Sequence, residues 1–455
     1  MSFSAKIVFA YIFVLGLFFT FLVPPLQKPD EHGHFIRSIL LSHGKIILTD
    51  KDVELPIEKQ YYDLIHDPHL NKIPYHPKIK FDPMWYVRSP FADRGAYQLV
   101  RESTWGQFML PASSYIPYAF GIILARFFHL NAYLTFFTGR LTMFLFVFIW
   151  TIFLFRKTPS PFKPILLFVF SLPMLIHQIT GYNYDSMQYM MGFSLFVLLL
   201  NLLQKNTLSL YDLALIAFTF ILFFIMKLSF EPMLLLVFLI PNKKIDTVFS
   251  RYLKKIGVVL FIILLVYFLS KSTFYLSASR YTHHPKGINP VLQTQYILSH
   301  PFDYLQNFTQ SSIRLTKFHL QGAIGLFGWL DYSMDWWIYI LFIVVGIYIM
   351  YTIKLDKKSR IEKWQSFLIL GSIFLTYTFM MTIFYLNWKI VGSLIIDGTQ
   401  GRYFLSLIPF AMFSFIQLKK RVYPLPKSSW FLLLLTFMLY LIVISVISSI
   451  HNRYY

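Results

Sequence analysis

Apolar runs of membrane-crossing length recur along the whole chain, separated by short polar stretches. A helix needs about 20 apolar residues to cross the hydrocarbon core. Runs that meet or approach this length fall at 5–23, 112–130, 133–155, 164–180, 187–204, 209–226, 231–241, 256–276, 337–353, 365–386, 403–418 and 429–449. The pattern predicts an all-α polytopic membrane protein. The run 231–241 is too short to cross unaided and carries Pro232 at its start, so it is expected to form a broken span with its neighbour. The first run is followed by Pro24-Pro25-Leu26 where a signal peptide would carry a small-residue cleavage site, and it is read as a retained span.

Charge orients these runs. Lys and Arg cluster in four short loops: Arg156/Lys157/Lys163, Lys243/Lys244/Arg251/Lys254/Lys255, Lys354/Lys357/Lys358/Arg360/Lys363 and Lys419/Lys420/Arg421/Lys427. The positive-inside rule makes all four cytoplasmic. With Met1 inside, they are cytoplasmic only if 112–130 does not cross. Pro111, Pro117, Tyr115, Tyr118, Arg126 and His129 suit a helix at the membrane surface. The count becomes about 11 spans, with the N-terminus inside and the C-terminus outside. Two large outer loops remain, 24–132 and 277–336. No soluble domain separates from them, so residues 1–455 form one membrane domain.

Composition narrows the function classes. Charged residues make up 14% of the chain, against about a quarter in soluble proteins. The net charge of +20 is accounted for by the basic loops, and no continuous basic face for nucleic acid can be drawn. Cysteine is absent, which excludes disulfides and thiolate metal sites.

Several polar constellations interrupt the apolar pattern. Pro29-Asp30-Glu31-His32-Gly33-His34-Phe35-Ile36-Arg37 suits a helix start, with Phe35, Ile36, Ile39 and Leu40 as an apolar stripe and Gly44 as the C-terminal cap. The result is expected to be a short helix lying on the membrane. Asp30, His34 and Arg37 share one face. They read either as a solvated, capped first turn or as a general base with neighbours that hold a metal-bound phosphate. Asp397-Gly398-Thr399-Gln400-Gly401-Arg402-Tyr403-Phe404 places Arg402 at the head of an apolar helix, where it either snorkels or binds phosphate. Asp185 stands among aromatics at a helix start, as a cap or as a site acid. Lys227 and Glu231 flank a break in a span, and Arg140 lies about two turns into one. Ionisable groups at membrane depth need partners and mark function by default. Gly328-Trp329-Leu330-Asp331 precedes Trp336-Trp337 in the second loop, where an aromatic interface belt is the plain reading. His283-His284 and His300 lack metal-ligand spacing. No Gly-rich phosphate loop, serine elbow or zincin helix occurs, so a substrate arrives from the membrane or from outside.

Pro-Asp-Glu-x-x-His-Phe at 29–35, Lys227/Phe230/Pro232, Gly-Trp-Leu-Asp at 328–331 and Gln-Gly-Arg-Tyr-Phe at 400–404 together resemble a bacterial family of polytopic membrane proteins. That family is similar to the GT-C-type glycosyltransferases. The resemblance implies a polyprenyl-phosphate- or diphosphate-linked sugar as donor. It implies a glycan or lipid acceptor outside the cytoplasmic membrane. It makes Asp30 or Glu31 the general base, with Arg402, Lys227 and Arg140 on the donor phosphate. His34, Arg37, Asp185, Gln400, Tyr403 and Asp331 take supporting places. The cofactor stays open between none and a divalent cation, magnesium or manganese. His32-Gly33 departs from the Pro-Ala often seen in relatives, and the adjacent Asp-Glu pair departs from their spaced acids. A polymerase or ligase using the same lipids, a flippase or transporter, and a scaffold subunit are the rivals. A transporter should show inverted repeats and midplane ionisable sites; no repeat is seen, and the acids of the main constellations sit in outer loops. A topology reporter fused near residue 160 is expected to read cytoplasmic; an outside reading would overturn the parity argument.

Overall fold

The computed structural model describes residues 3–48, 52–84, 98–104, 111–240, 257, 259, 260, 263, 287–419 and 429–455. The expected span 256–276 (apart from those scattered positions), His283-His284 and the basic residues of 243–255 and 420–427 lie outside the described residues.

Helix α1 (Phe3–Phe21) is stopped by Pro24-Pro25. Helix α2 (Glu31–Ser42) follows and ends at Gly44, whose φ of +82° suits glycine and whose N–H bonds to the Leu41 carbonyl at 2.8 Å. The first loop continues through β1 (Glu54–Glu58), α3 (Lys59–Ile65), α4 (Pro68–Lys72) and β2 (Leu99–Ser103). The two strands pair antiparallel, Ile57 opposite Val100. This small sheet is an addition to the all-α expectation. Five-residue strands leave too short a pattern to separate from loop.

Helix α5 (Ile116–Phe127) spans 12 residues, about 18 Å, short of the roughly 30 Å core. It packs on α6 (Ala132–Lys157), where a Cβ at Gly121 would collide with the Gly139 backbone. Helices α7 (Lys163–Phe170) and α8 (Pro173–Ile179) form one pair bent by 70° at Pro173. Then come α9 (Asp185–Gln204) and α10 (Leu210–Met226), the latter started by a Ser209/Asp212 capping box.

A 3-10 helix, Leu228–Leu239, follows Lys227 and holds Pro232. Its 12 residues extend about 24 Å at the 3-10 rise of about 2.0 Å. The short run therefore reaches much further than an α-helix of equal length. Beyond it lie α11 (Pro290–Ser299), α12 (Pro301–Ile324), a hairpin of β3 (Leu326–Phe327) and β4 (Tyr332–Ser333), α13 (Trp336–Thr352) and α14 (Lys363–Trp388). A second 3-10 turn (Gly401–Leu407) leads into α15 (Ile408–Leu418), and α16 (Ser429–Tyr454) closes the described chain.

Among the described residues six helical segments are long and apolar enough to cross a membrane, or seven with the bent pair; α10, α13 and Ser229–Leu239 are apolar but shorter. Side-chain bonds sort their ends. Asn201 reaches the Lys157 carbonyl, Gln204 reaches Ser359, Gln365 reaches the Leu239 carbonyl and Lys419 reaches the Met350 carbonyl. Those helix ends share one end of the bundle, with the described basic loops. Asp185 meets Lys227 at the other end.

That other end is organised by one buried ion pair. Glu31 and Arg140 are both fully buried and meet in two bonds, Nε to Oε1 at 2.8 Å and Nη2 to Oε2 at 2.6 Å. The remaining Arg140 donors reach the carbonyls of Thr20, Val23 and Pro24. All five guanidinium N–H groups are thereby used. Arg140 is thus level with the end of α1, and the start of α6 projects beyond it. Helix α2 is not a surface helix either. Phe35, Ile36, Ile39, Arg37 and Glu31 are all buried, with Phe35 packed on Tyr61, Phe136 and Tyr182. Its apolar stripe was legible, but its polar face is enclosed too. Removing one partner of a buried pair costs about 3–5 kcal/mol. Arg140→Met is therefore expected to lower the unfolding temperature of detergent-purified protein, and Glu31→Gln/Arg140→Met to lose less than the two single losses summed. Additive losses would refute the coupling.

Candidate functional site

The proposed site residues separate into two groups. Glu31 and Arg140 belong to the frame. Both Glu31 oxygens accept from Arg140, and Oε1 also accepts the Tyr182 N–H at 3.1 Å. Glu31 has no exposed oxygen to act as base, and Arg140 has no donor left for a phosphate. Both assignments are corrected on those grounds. Lys28 stands beside them, donating to the His177 carbonyl and to Thr180 Oγ1 at 2.8 Å each. Arg37 is also structural: it donates to the carbonyls of Lys45 and Ile46 and so closes the chain after α2. Asp331 accepts from Arg453 at 2.9 and 2.6 Å and ties the β3–β4 hairpin to α16.

The second group converges. Asp30 is the residue before α2. It is exposed, it caps no helix N–H, and its φ of +59° lies in the left-handed region. Such a conformation costs an Asp about 1–2 kcal/mol and is held only where the surroundings dictate it. The capping reading thus falls, and among the described residues no hydrogen bond or ion pair holds its carboxylate. One helical turn on, His34 Nδ1 and the Tyr115 hydroxyl are hydrogen-bonded at 2.7 Å, and the His34 ring lies 5.8 Å from Tyr184. The charges of Asp30, Asp185 and Arg402 all reach His34.

Asp185 opens α9 and accepts from Lys227 Nζ at 2.9 Å. Lys227, the hinge between α10 and its 3-10 return, also lies 3.8 Å from the centre of the Tyr403 ring. Arg402 is buried beside them. It donates to Gln178 Oε1, a neutral acceptor, at 3.3 Å, and its Nε has no partner. No described carboxylate stands within ion-pair distance of it. Its backbone is placed by Gly401, where a Cβ would overlap the His319 carbonyl on α12, and by Tyr189, whose hydroxyl donates to the Arg402 carbonyl. Gln400 precedes this turn with a buried, unpartnered Oε1.

Residues from the first loop, α9, the α10 hinge and the turn at 401–407 therefore meet. Arg140 pairs with Glu31 and Lys227 with Asp185, which leaves the buried Arg402 guanidinium without an ion-pair partner among the described residues. A buried cation without a counter-ion is costly, so an anion is the complementary ligand. Tyr115 was read from sequence only as an interfacial residue, and Tyr184 and Gln178 were not named as site residues. Gln178, a polar residue within an apolar run, carried the best signal. Among the described residues no three His, Asp or Glu side chains are grouped to hold a metal ion. A mainly apolar cavity of about 640 Å³, lined by Val8, Leu167, Phe342 and Leu439 among others, lies towards the opposite end.

The fold and site define a polytopic helical membrane protein with a charged, aromatic-lined site at one end of its bundle. Over residues 13–411 the chain matches the family described as predicted membrane protein DUF2142, and it belongs to that family. No curated protein and no solved structure matches.

Burial pushes the His34 imidazole down to about 4 from its ordinary 6.5, against the carboxylates of Asp30 and Asp185. Between those values the unfolded chain binds more protons, so stability falls as pH drops from 6.5 towards 4. Thermal melts across this window should give a shallower acid-side loss for His34→Gln than for wild type. An identical slope would refute a buried neutral His34.

Proposed function

We propose that the protein is an inverting GT-C-type glycosyltransferase. It moves a sugar from a polyprenyl-phosphate- or diphosphate-linked donor to a cell-envelope glycan or lipid on the outer face of the bacterial cytoplasmic membrane. The observation that carries this reading is the buried, uncompensated Arg402 in the same cluster as the exposed, unpaired Asp30. One supplies the anion site, the other the base.

The proposed topology is that of about 11 crossings, each run of membrane length joining the two ends of the bundle in turn. The basic loops face the cytoplasm and the site faces outward. A groove of about 480 Å³ lined by Ile313, Leu320, Tyr377, Phe404 and Ile408 adjoins Gly401. It offers an apolar path for a prenyl chain whose phosphate ends at Arg402.

In the reaction, the acceptor O–H gives its proton to the Asp30 carboxylate. The oxygen bonds to the anomeric carbon on the face opposite the phosphate. The carbon–oxygen bond to the phosphate breaks, and its electron pair leaves with the phosphate. Arg402, and Lys227 held by Asp185, stabilise that charge where water is scarce. Each step uses the chain's own residues, and no metal is assigned to the site.

A deletion strain complemented with variants tests this by envelope glycan composition and accumulated lipid-linked sugar. Asp30→Asn should lower transfer by about 10²-fold or more, with normal protein level and membrane insertion. Wild-type glycan in that strain would refute the assignment.

A further inference from the structure

Non-glycine residues with positive φ are uncommon, and strain of this kind gathers at binding and catalytic sites. Among the described residues there are Leu26, Asp30, Tyr75, His129 and Leu330. All but His129 surround one spot. Trp329, next to Leu330, donates its Nε1 to the Leu26 carbonyl at 3.1 Å. The Trp329 ring lies 5.6 Å from Tyr75 and is stacked 6.4 Å from His32, two residues past Asp30. Burial, then the carboxylates of Asp30 and Asp331, raise the Tyr75 phenol above its ordinary value, so Tyr75 stands near both acids.

These rings are displayed, not packed away. Tyr75 is 66% exposed, and Trp329 is half-buried. Gly328, with a φ of +58°, makes the turn that carries Trp329 at the tip of the β3–β4 hairpin. One side chain braces both bearers. Arg453 donates to Asp331 at the base of that turn and, at 2.7 Å, to the Ile73 carbonyl two residues before Tyr75. Such bracing is out of proportion for an interface belt, which needs only that aromatic rings lie at headgroup depth.

We propose that Trp329 and Tyr75 form a stacking platform for a pyranose ring of the acceptor, which makes the acceptor a saccharide and not a lipid. A pyranose presents an apolar C–H face with hydroxyls at its rim. The negative face of an aromatic ring attracts the polarised C–H bonds, while His32 and Asp30 stand at the edge to meet hydroxyls. Two rigid rings also bind with little loss of side-chain freedom. This rests on Asp30 being the base, because the platform brings an acceptor hydroxyl to that carboxylate.

The test uses full-length protein in nanodiscs and short glycans released from the envelope of the deletion strain by mild acid. Saturation-transfer NMR should show transfer to ring C–H protons with wild type. It should fall on the order of fivefold in both Tyr75→Ala and Trp329→Ala, and persist in Trp329→Phe. Tyr75 is exposed enough that its truncation leaves the fold intact, so a folding defect in the Trp329 variant does not rescue the idea. Absence of transfer with wild type, transfer confined to acyl protons of co-released lipid, or unchanged binding in Tyr75→Ala overturns it. Normal envelope glycan in Asp30→Asn together with lost binding in Tyr75→Ala upholds the platform and overturns only the catalytic reading.

Discussion

The Glu31–Arg140 ion pair is the constraint on which the site end depends. It joins the end of α1, the start of α2, the projecting part of α6 and the turn before α9 through one carboxylate and one guanidinium. In a place this dry, each charge is tolerable only because the other is there. Every Arg140 donor is spent, and the carbonyls left over where α1 stops are satisfied by it. The neighbour of Glu31 inherits the consequence. With residue 31 drawn inward and Pro29 before it, Asp30 is held in a left-handed conformation with its carboxylate turned out.

Two adjacent acids thus have opposite fates, and so do two arginines. Glu31 and Arg140 neutralise each other; among the described residues Asp30 and Arg402 have no ion-pair partner, and Arg402 leans only on the neutral Gln178. The distinction between frame and site is electrostatic. Paired charges at membrane depth hold helices together, and unpaired ones invite a ligand or a proton. Lys227 sits between these cases, tied to Asp185 on one side and resting on the Tyr403 ring on the other.

Much of this was legible in the chain. Asp30, His34, Asp185, Lys227, Arg402 and Tyr403 were picked out by residue type and position, and they do converge. Charge parity marked 112–130 as a run that does not cross, and the helix found within it, α5, has 12 residues. Pairings across long separations were not legible: Arg140 reads as an orphan until Glu31, 109 residues earlier, is seen beside it, and Asp331 until Arg453 is. Helix α2 read as a surface helix because an apolar stripe says what one face does and nothing about a polar face that is also covered. Leu228–Leu239 stays among the segments too short to cross alone, as expected, but its 3-10 form was not legible because counting residues assumes the α-helical rise. Trp329 was read as part of an interface belt and Tyr75 was not singled out, for another reason. What sets them apart is backbone strain and a brace contributed by α16.

That brace has a bearing on how the protein comes to be active. Arg453 bonds to a carbonyl 380 positions upstream, and such distant contacts form late because closing long loops costs chain entropy before any contact is gained. During synthesis the first loop and the hairpin are both made long before α16. The turn bearing Tyr75 and the hairpin bearing Trp329 therefore gain their shared Arg453 contact only once α16 has been made. A partly built molecule can fold around its ion pair, yet until α16 packs it lacks the Arg453 brace between the segments that carry its two displayed rings.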